Sequence, residues 1–139
     1  MKDGFIKVAA ASPEIRVADC EYNREQIIRN IDSANELKVK VLVFPELSIT
    51  GYTCGDLFLQ ELLLSQSENV LMNILDHTKD MDMVIVVGMP LMDGNSLYNT
   101  AVYCQKGKIC MVIPKTHIPC YQEFYETRYF TKGNKNPHE

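Results

Sequence analysis

No segment of the 139-residue chain approaches the ~20 consecutive apolar residues that a membrane-spanning helix requires, so no bilayer span is expected. The first residues, Met1-Lys2-Asp3-Gly4, enter a strand pattern without the apolar core of a secretory leader, and a cytoplasmic location is the expectation. Basic runs and aromatic-basic stripes are missing as well. Fourteen Lys and Arg against 18 Asp and Glu leave a formal charge of -4, which argues against a nucleic-acid partner and for small molecules or proteins. The five cysteines are odd in number and include no C-x-x-C pair, so neither a disulfide framework nor a zinc site is indicated. His77, His117 and His138 lack ligand-spaced partners, and no metal site is expected. There is no internal repeat, linker or low-complexity tract. What remains is one domain at most, with 46% hydrophobic residues, enough for a real core.

Within that domain the residues alternate between strand and helix signals. Residues 5–11 read as a first strand, closed by Ser12-Pro13. Asn23 then stands where it can cap a helix, with Gln26 at the reciprocal capping-box position, and Ile27, Ile31, Ala34 and Leu37 recur at helical spacing. Val41-Leu42-Val43-Phe44 is short, apolar and largely β-branched or aromatic, the pattern of a buried strand that Pro45 ends. Together these form a β-α-β unit with parallel strands. Asp56 is placed to cap a second helix, whose apolar start at residues 57–64 has to be buried on more than one side. Residues 83–88 read as a third buried strand ending at Pro90. Residues 97–104 and 109–113 flank Gln105-Lys106-Gly107-Lys108 as a hairpin, with Gly107 supplying the positive φ of a tight turn. Parallel crossovers followed by a hairpin predict an α/β fold on a mixed sheet. Residues 114–139 show three prolines, a dense aromatic cluster and no period, which reads as a long ordered loop with a functional role.

Two residues stand where strands deliver side chains to a sheet edge. Glu46 follows the strand that Pro45 ends, and Lys115 follows the strand ending at Ile113-Pro114. In open α/β sheets that edge is where ligands bind. On a shared edge a carboxylate and an ammonium shift each other's pKa, Glu46 suiting a general base and Lys115 the stabilisation of an oxyanion. The residues alone leave other readings open: a loop-capping or solvated Glu46, and a solvated Lys115 or a structural ion pair.

The stretches Phe44-Pro45-Glu46-Leu47-Ser48-Ile49-Thr50-Gly51-Tyr52 and Pro114-Lys115-Thr116-His117-Ile118-Pro119 resemble the nitrilase, or carbon-nitrogen hydrolase, superfamily. Asp56-Leu57-Phe58 and Tyr121-Gln122-Glu123-Phe124-Tyr125-Glu126-Thr127-Arg128-Tyr129-Phe130 are similar to the amidase domains of the glutamine-dependent NAD synthetase branch. The resemblance implies a nitrilase-like four-layer α-β-β-α sandwich, of which residues 1–139 are the N-terminal half, without the synthetase domain. It implies a Glu-Lys-Cys mechanism with Glu46 as base and Lys115 as oxyanion stabiliser. Glu123 matches an acidic residue that positions the lysine, and Tyr121 an aromatic residue lining the glutamine pocket. The nucleophilic cysteine is expected beyond Glu139, since none of the five cysteines reproduces its motif; Cys120 and Cys54 are read as non-catalytic.

By the same resemblance the substrate is glutamine, the released ammonia amidates nicotinic acid adenine dinucleotide to NAD, and the protein forms a homo-oligomer. No cofactor is expected in this domain, ATP and magnesium belonging to the synthetase domain. The fragment is expected to be inactive alone and, as half of a sandwich, to expose apolar surface. Two alternatives stand beside this reading: a stand-alone amidase or ureidopropionase-like hydrolase, and a non-catalytic pseudo-enzyme or binding module.

Overall fold

The computed structural model describes residues 4–134. Five strands form one mixed sheet in the order β1-β2-β3-β4-β5, where β1 is Val8–Ala10, β2 Val41–Val43, β3 Val84–Asp93, β4 Ser96–Gln105 and β5 Lys108–Pro114. The first three strands run parallel, and β3-β4-β5 is an antiparallel meander. Helices α1 (Cys20–Glu36) and α2 (Glu61–His77) make the crossovers β1-α1-β2 and β2-α2-β3.

Alternation along the strands divides the sheet into two unlike faces. On one, Leu42, Ile85, Val87, Val102 and Cys104 pack against Ile27 and Ile31 of α1 and Val70, Leu71 and Ile74 of α2, making the core. On the other, the register aligns Ala10, Val43, Val86, Tyr103 and Met111 in a single row across all five strands. No element among the described residues covers that row, and Val43 and Met111 are 42% and 45% exposed. The chain thus builds two layers, one of helices and one of sheet, and leaves an apolar sheet face open, as expected of half a sandwich.

Several local expectations are corrected. Helix α1 is capped by Asp19, whose carboxylate accepts from the Tyr22 N–H. Asn23 is instead a fully buried bridge: its Nδ2 donates to Arg16 O and Ile49 O, and its Oδ1 accepts from Arg16 N–H, so an amide tethers two loops. Asp56 caps no helix, because Gly55–Leu59 is a separate 3-10 turn and α2 starts after Gln60.

Strand β3 passes through Pro90 and pairs it with Asn99. Gly88 directs its N–H and C=O away from β4, to Ser48 Oγ and from Ile49 N–H respectively, so Pro90 two residues on points the same way. By then β2 has ended. The missing N–H of Pro90 breaks no ladder bond, the one circumstance in which a strand tolerates proline. The β4-β5 turn is as expected, with Lys106 and Gly107 both at positive φ, 50° and 72°.

Gly88 also fixes how β2 ends. A Cβ there would lie 2.3 Å from Leu47 N, 2.7 Å from Pro45 O and 2.9 Å from the Glu46 carbonyl carbon, all of them backbone atoms. Only a glycine lets the Pro45–Leu47 turn lie against β3. Gly88→Ala is therefore expected to lower unfolding stability by about 2–3 kcal/mol through overpacking, measured by urea denaturation. A change within ~0.5 kcal/mol, the usual range at unconstrained sites, would contradict this close approach.

Candidate active site

The turn that carries Glu46 is pinned from two sides. Phe44 N–H donates to Val86 O at 2.9 Å, the last ladder bond before Pro45 removes the donor. Leu47, fully buried, then turns left-handed at φ 51°, a conformation that costs a non-glycine residue roughly 1–2 kcal/mol. The strain is held in place by Ile49 N–H on Gly88 O at 3.2 Å and by Gly51 N–H on Leu47 O at 2.7 Å. Glu46 is thereby projected across the end of the sheet.

Lys115 arrives from β5. Its N–H donates to Asn99 O at 2.8 Å, continuing the β4-β5 pairing one residue past the strand. The two strand ends meet: Lys115 Nζ lies 2.7 Å from Glu46 Oε1. The same ammonium lies 2.9 Å from both carboxylate oxygens of Glu126. Glu126 begins the 3-10 turn Glu126–Arg128, is 6% exposed, and accepts at Oε1 from the Tyr52 hydroxyl at 2.6 Å. The Asn99 side-chain amide donates to Glu46 Oε1. Residues from five segments thus converge on one chain of hydrogen bonds, beside an open depression of about 410 Å³ lined by Val43, Pro45, Glu46, Gly88, Asn99 and Lys115.

This arrangement changes one expectation. The acidic group on the lysine is Glu126, while Glu123, three residues earlier, lies exposed ahead of the turn. Only from residue 126 does the backbone curl inward: Phe130 N–H bonds to Glu126 O, Thr131 N–H to Leu97 O and Gly133 N–H to Lys115 O, returning the chain alongside β4 and β5. Tyr121 is 63% exposed and stacks edge-on against Phe124.

The two motifs that the sequence reading singled out prove to be partners in space. Asp56 makes a two-pronged ion pair with Arg128, at 2.8 and 3.2 Å. Phe58 packs on Phe130 with ring centroids 4.9 Å apart and on Tyr129 at 5.8 Å. Glu126 is set against Lys115 by this dock between the 3-10 turns.

Burial by itself would lower the Lys115 pKa. Hydrogen bonds and charge from Glu46 and Glu126 outweigh it, and the ammonium is held above its ordinary value of 10.5. Tyr52, desolvated and hydrogen-bonded to Glu126, is pushed well above the phenol range. Lys115 is thus a fixed cation suited to stabilising negative charge and unsuited to removing protons.

None of the five thiols hydrogen-bonds to Glu46 or Lys115. Burial pushes Cys20 and Cys104 up to about 11 and also raises Cys54. Cys120 is exposed and accepts from the Thr127 hydroxyl at 3.2 Å. A second cavity, about 430 Å³, lies between the start of α1 and Gln66, Asn69 and Asn73 of α2. It shares no lining residue with the first, and its only cysteine is Cys20, whose thiol is pushed up by burial.

An acid and a fixed ammonium are thus joined at the end of a mixed α/β sheet. Comparison with known proteins states the family: residues 7–139 match the carbon-nitrogen hydrolase family, and the chain belongs to it. It is 37% identical over 131 residues to the glutamine-dependent NAD(+) synthetase of Mycobacterium leprae, covering 94% of this chain and 19% of that protein. To the synthetase of the same name from Aquifex aeolicus it is 35% identical, over 94% of this chain and 23% of that protein. The chain therefore spans about a fifth of the length of these relatives, and the matched part is their N-terminal carbon-nitrogen hydrolase domain.

Among solved structures, a glutamine-dependent NAD(+) synthetase from Cytophaga hutchinsonii superposes with TM-score 0.89 at 28% identity, over 94% of this chain and 22% of that one. An amidase from Nesterenkonia sp. superposes with TM-score 0.84 at 19% identity, over 99% of this chain and 52% of that one, a likeness of fold alone. No helix among the described residues is long and apolar enough to cross a membrane.

The raised pKa of Lys115 fixes the sign of a pH effect. Because the folded value lies above the unfolded value of 10.5, the stabilisation is fully present below that pH and is lost as pH rises through the folded value. Substituting both partners, Glu46→Gln with Glu126→Gln, leaves burial unopposed. The Lys115 Nζ titration, followed by NMR of a lysine-labelled chain, is then expected to fall by at least one unit. An unchanged titration in a folded double variant would mean that the carboxylates do not hold the ammonium.

Proposed function

We propose that the chain supplies the base and the cation of a glutamine-hydrolysing site that feeds ammonia to NAD synthesis. The observation that carries this reading is the 2.7 Å contact between Lys115 Nζ and Glu46 Oε1, in a chain most of whose length aligns with glutamine-dependent NAD synthetases. A thiol is a poor nucleophile until a base takes its proton, and the tetrahedral intermediate of amide hydrolysis needs a donor beside its oxygen.

In this mechanism Glu46 takes the proton of a cysteine thiol, and the thiolate adds to the side-chain carbonyl carbon of glutamine. Lys115 donates to the resulting oxyanion, with Glu126 and Tyr52 holding the ammonium in place. The C–N bond breaks as Glu46 returns the proton to nitrogen, releasing ammonia and leaving a γ-glutamyl thioester. Water, deprotonated by Glu46, then cleaves the thioester to glutamate and regenerates the thiol. The nucleophile is supplied from outside residues 1–139, since none of the thiols within them engages the pair. By the family resemblance Tyr121 would line the glutamine pocket, whereas Glu123, exposed ahead of the turn, takes no part in this mechanism. The ammonia would serve an ATP-dependent amidation in a further domain, and oligomerisation would cover the exposed Leu59 and Leu62, 60% and 66% accessible.

The test is a chimaera in which this chain replaces the corresponding segment of the Mycobacterium leprae synthetase. It is expected to make NAD from glutamine as well as from ammonia. Glu46→Gln or Lys115→Ala should lower the glutamine-dependent rate by roughly 10²–10⁴-fold while sparing the ammonia-dependent rate, the range typical of a lost general base or oxyanion donor. A chimaera that uses ammonia but not glutamine, or variants that keep the glutamine-dependent rate, would overturn the proposal.

A further inference from the structure

The hydrogen bonds around Glu46 are unequally shared between its two oxygens. Lys115 Nζ and Asn99 Nδ2 both donate to Oε1, and among the described residues no donor reaches Oε2. An ionised carboxylate offers about four lone-pair sites, two on each oxygen, so Oε1 is filled and Oε2 is bare. Held by the flexible lysine alone, the group would exchange its oxygens freely, since the terminal torsion of glutamate is broad and roughly two-fold.

Asn99 removes that freedom. It is 3% exposed in the middle strand of the meander, and its backbone is set by the pairing of its neighbours Tyr98 and Thr100 with Leu91 and Met89 on β3. Its carbonyl accepts from the Lys115 N–H at 2.8 Å while its amide reaches Glu46. A single residue thus holds the base through its side chain and the cation through its backbone. An aspartate there could not donate to an ionised Glu46 and would add a third carboxylate beside Glu46 and Glu126.

Resting on the glutaminase reading above, we infer that Asn99 is the positioning residue of this site: it locks the Glu46 carboxylate so that Oε1 anchors the ammonium and Oε2 is the oxygen that takes and returns the proton. Asn99 touches neither thiol nor substrate; it acts through Glu46. The charged or titratable groups around Glu46 are Lys115 at the end of β5 and, beyond the ammonium, Glu126 with Tyr52.

The direct test is NMR of the chain itself, labelled at asparagine side-chain amides and glutamate carboxyls. The Asn99 amide protons are expected to move with the midpoint at which the Glu46 carboxyl titrates, and to stop moving in Glu46→Gln. The substitution that removes this donor while keeping the branched shape of the side chain is Asn99→Leu. In the chimaera it should lower kcat with glutamine about tenfold or more, with KM and the ammonia-dependent rate little changed. Asn99 amide protons that ignore protonation of Glu46, or a folded Asn99→Leu chimaera with an unchanged kcat for glutamine, would overturn the inference. If Asn99→Leu does not fold, the titration of the unsubstituted chain decides. Failure here would leave glutamine use by the chimaera intact, whereas loss of glutamine use with a responsive Asn99 would remove the reaction and keep the hydrogen bond.

Discussion

An ammonium held between two carboxylates, one of them nearly buried, is the interaction on which the site depends. Glu126 is 6% exposed, and a carboxylate in that position is costly unless it is paired and hydrogen-bonded. Lys115 and the Tyr52 hydroxyl meet that requirement. The consequence reaches well beyond the pair. Residues 115–130 have no strand and little helix to hold them, and they fold back on the sheet because Glu126 must reach the ammonium while Phe130 must reach Phe58. Electrostatics and apolar packing act on the same short turn from its two ends.

Much of the arrangement follows from sequence because it is delivered by strands. Glu46 and Lys115 are each one or two residues past a run of apolar, β-branched side chains, and a buried strand has little freedom in where it ends. The hairpin at Lys106-Gly107 was equally legible, since two positive φ angles admit few residues. Reading failed where the deciding contact lies far away in the chain. Pro90 looks like a strand terminator until β2 is known to have ended before it. Asn23 looks like a cap until Ile49 O, 26 residues on, is seen to need its amide. Glu123 and Glu126 lie three residues apart in an aperiodic segment, and contacts distant in sequence, Phe58 on Phe130 and Asp56 on Arg128, fix which of them turns inward. Asn99 was overlooked, although a signal existed: asparagine is depleted in strands, and a buried one must find a partner.

The open face of the sheet gives the half-sandwich its physical meaning. Helices cover one side and contribute a well-formed core, so the chain folds around contacts of its own. The other side presents a row of side chains from Ala10 to Met111, with the Glu46 depression at its margin. Glu46 and Lys115 are therefore positioned by elements of the covered side and presented at the margin of the uncovered one. For the proposed hydrolysis, preorganisation of this kind would place the charged groups before substrate arrives and leave little to reorganise as the oxyanion forms.

The central claim, that one ammonium bridges Glu46 and Glu126, is open to a direct measurement. Through-hydrogen-bond scalar couplings between the Lys115 Nζ nitrogen and glutamate carboxyl carbons, recorded on a labelled chain at neutral pH, report such bonds individually. Couplings to both Glu46 and Glu126 are expected. A Lys115 ammonium with no coupling to either carboxylate and with free proton exchange to water would contradict the account.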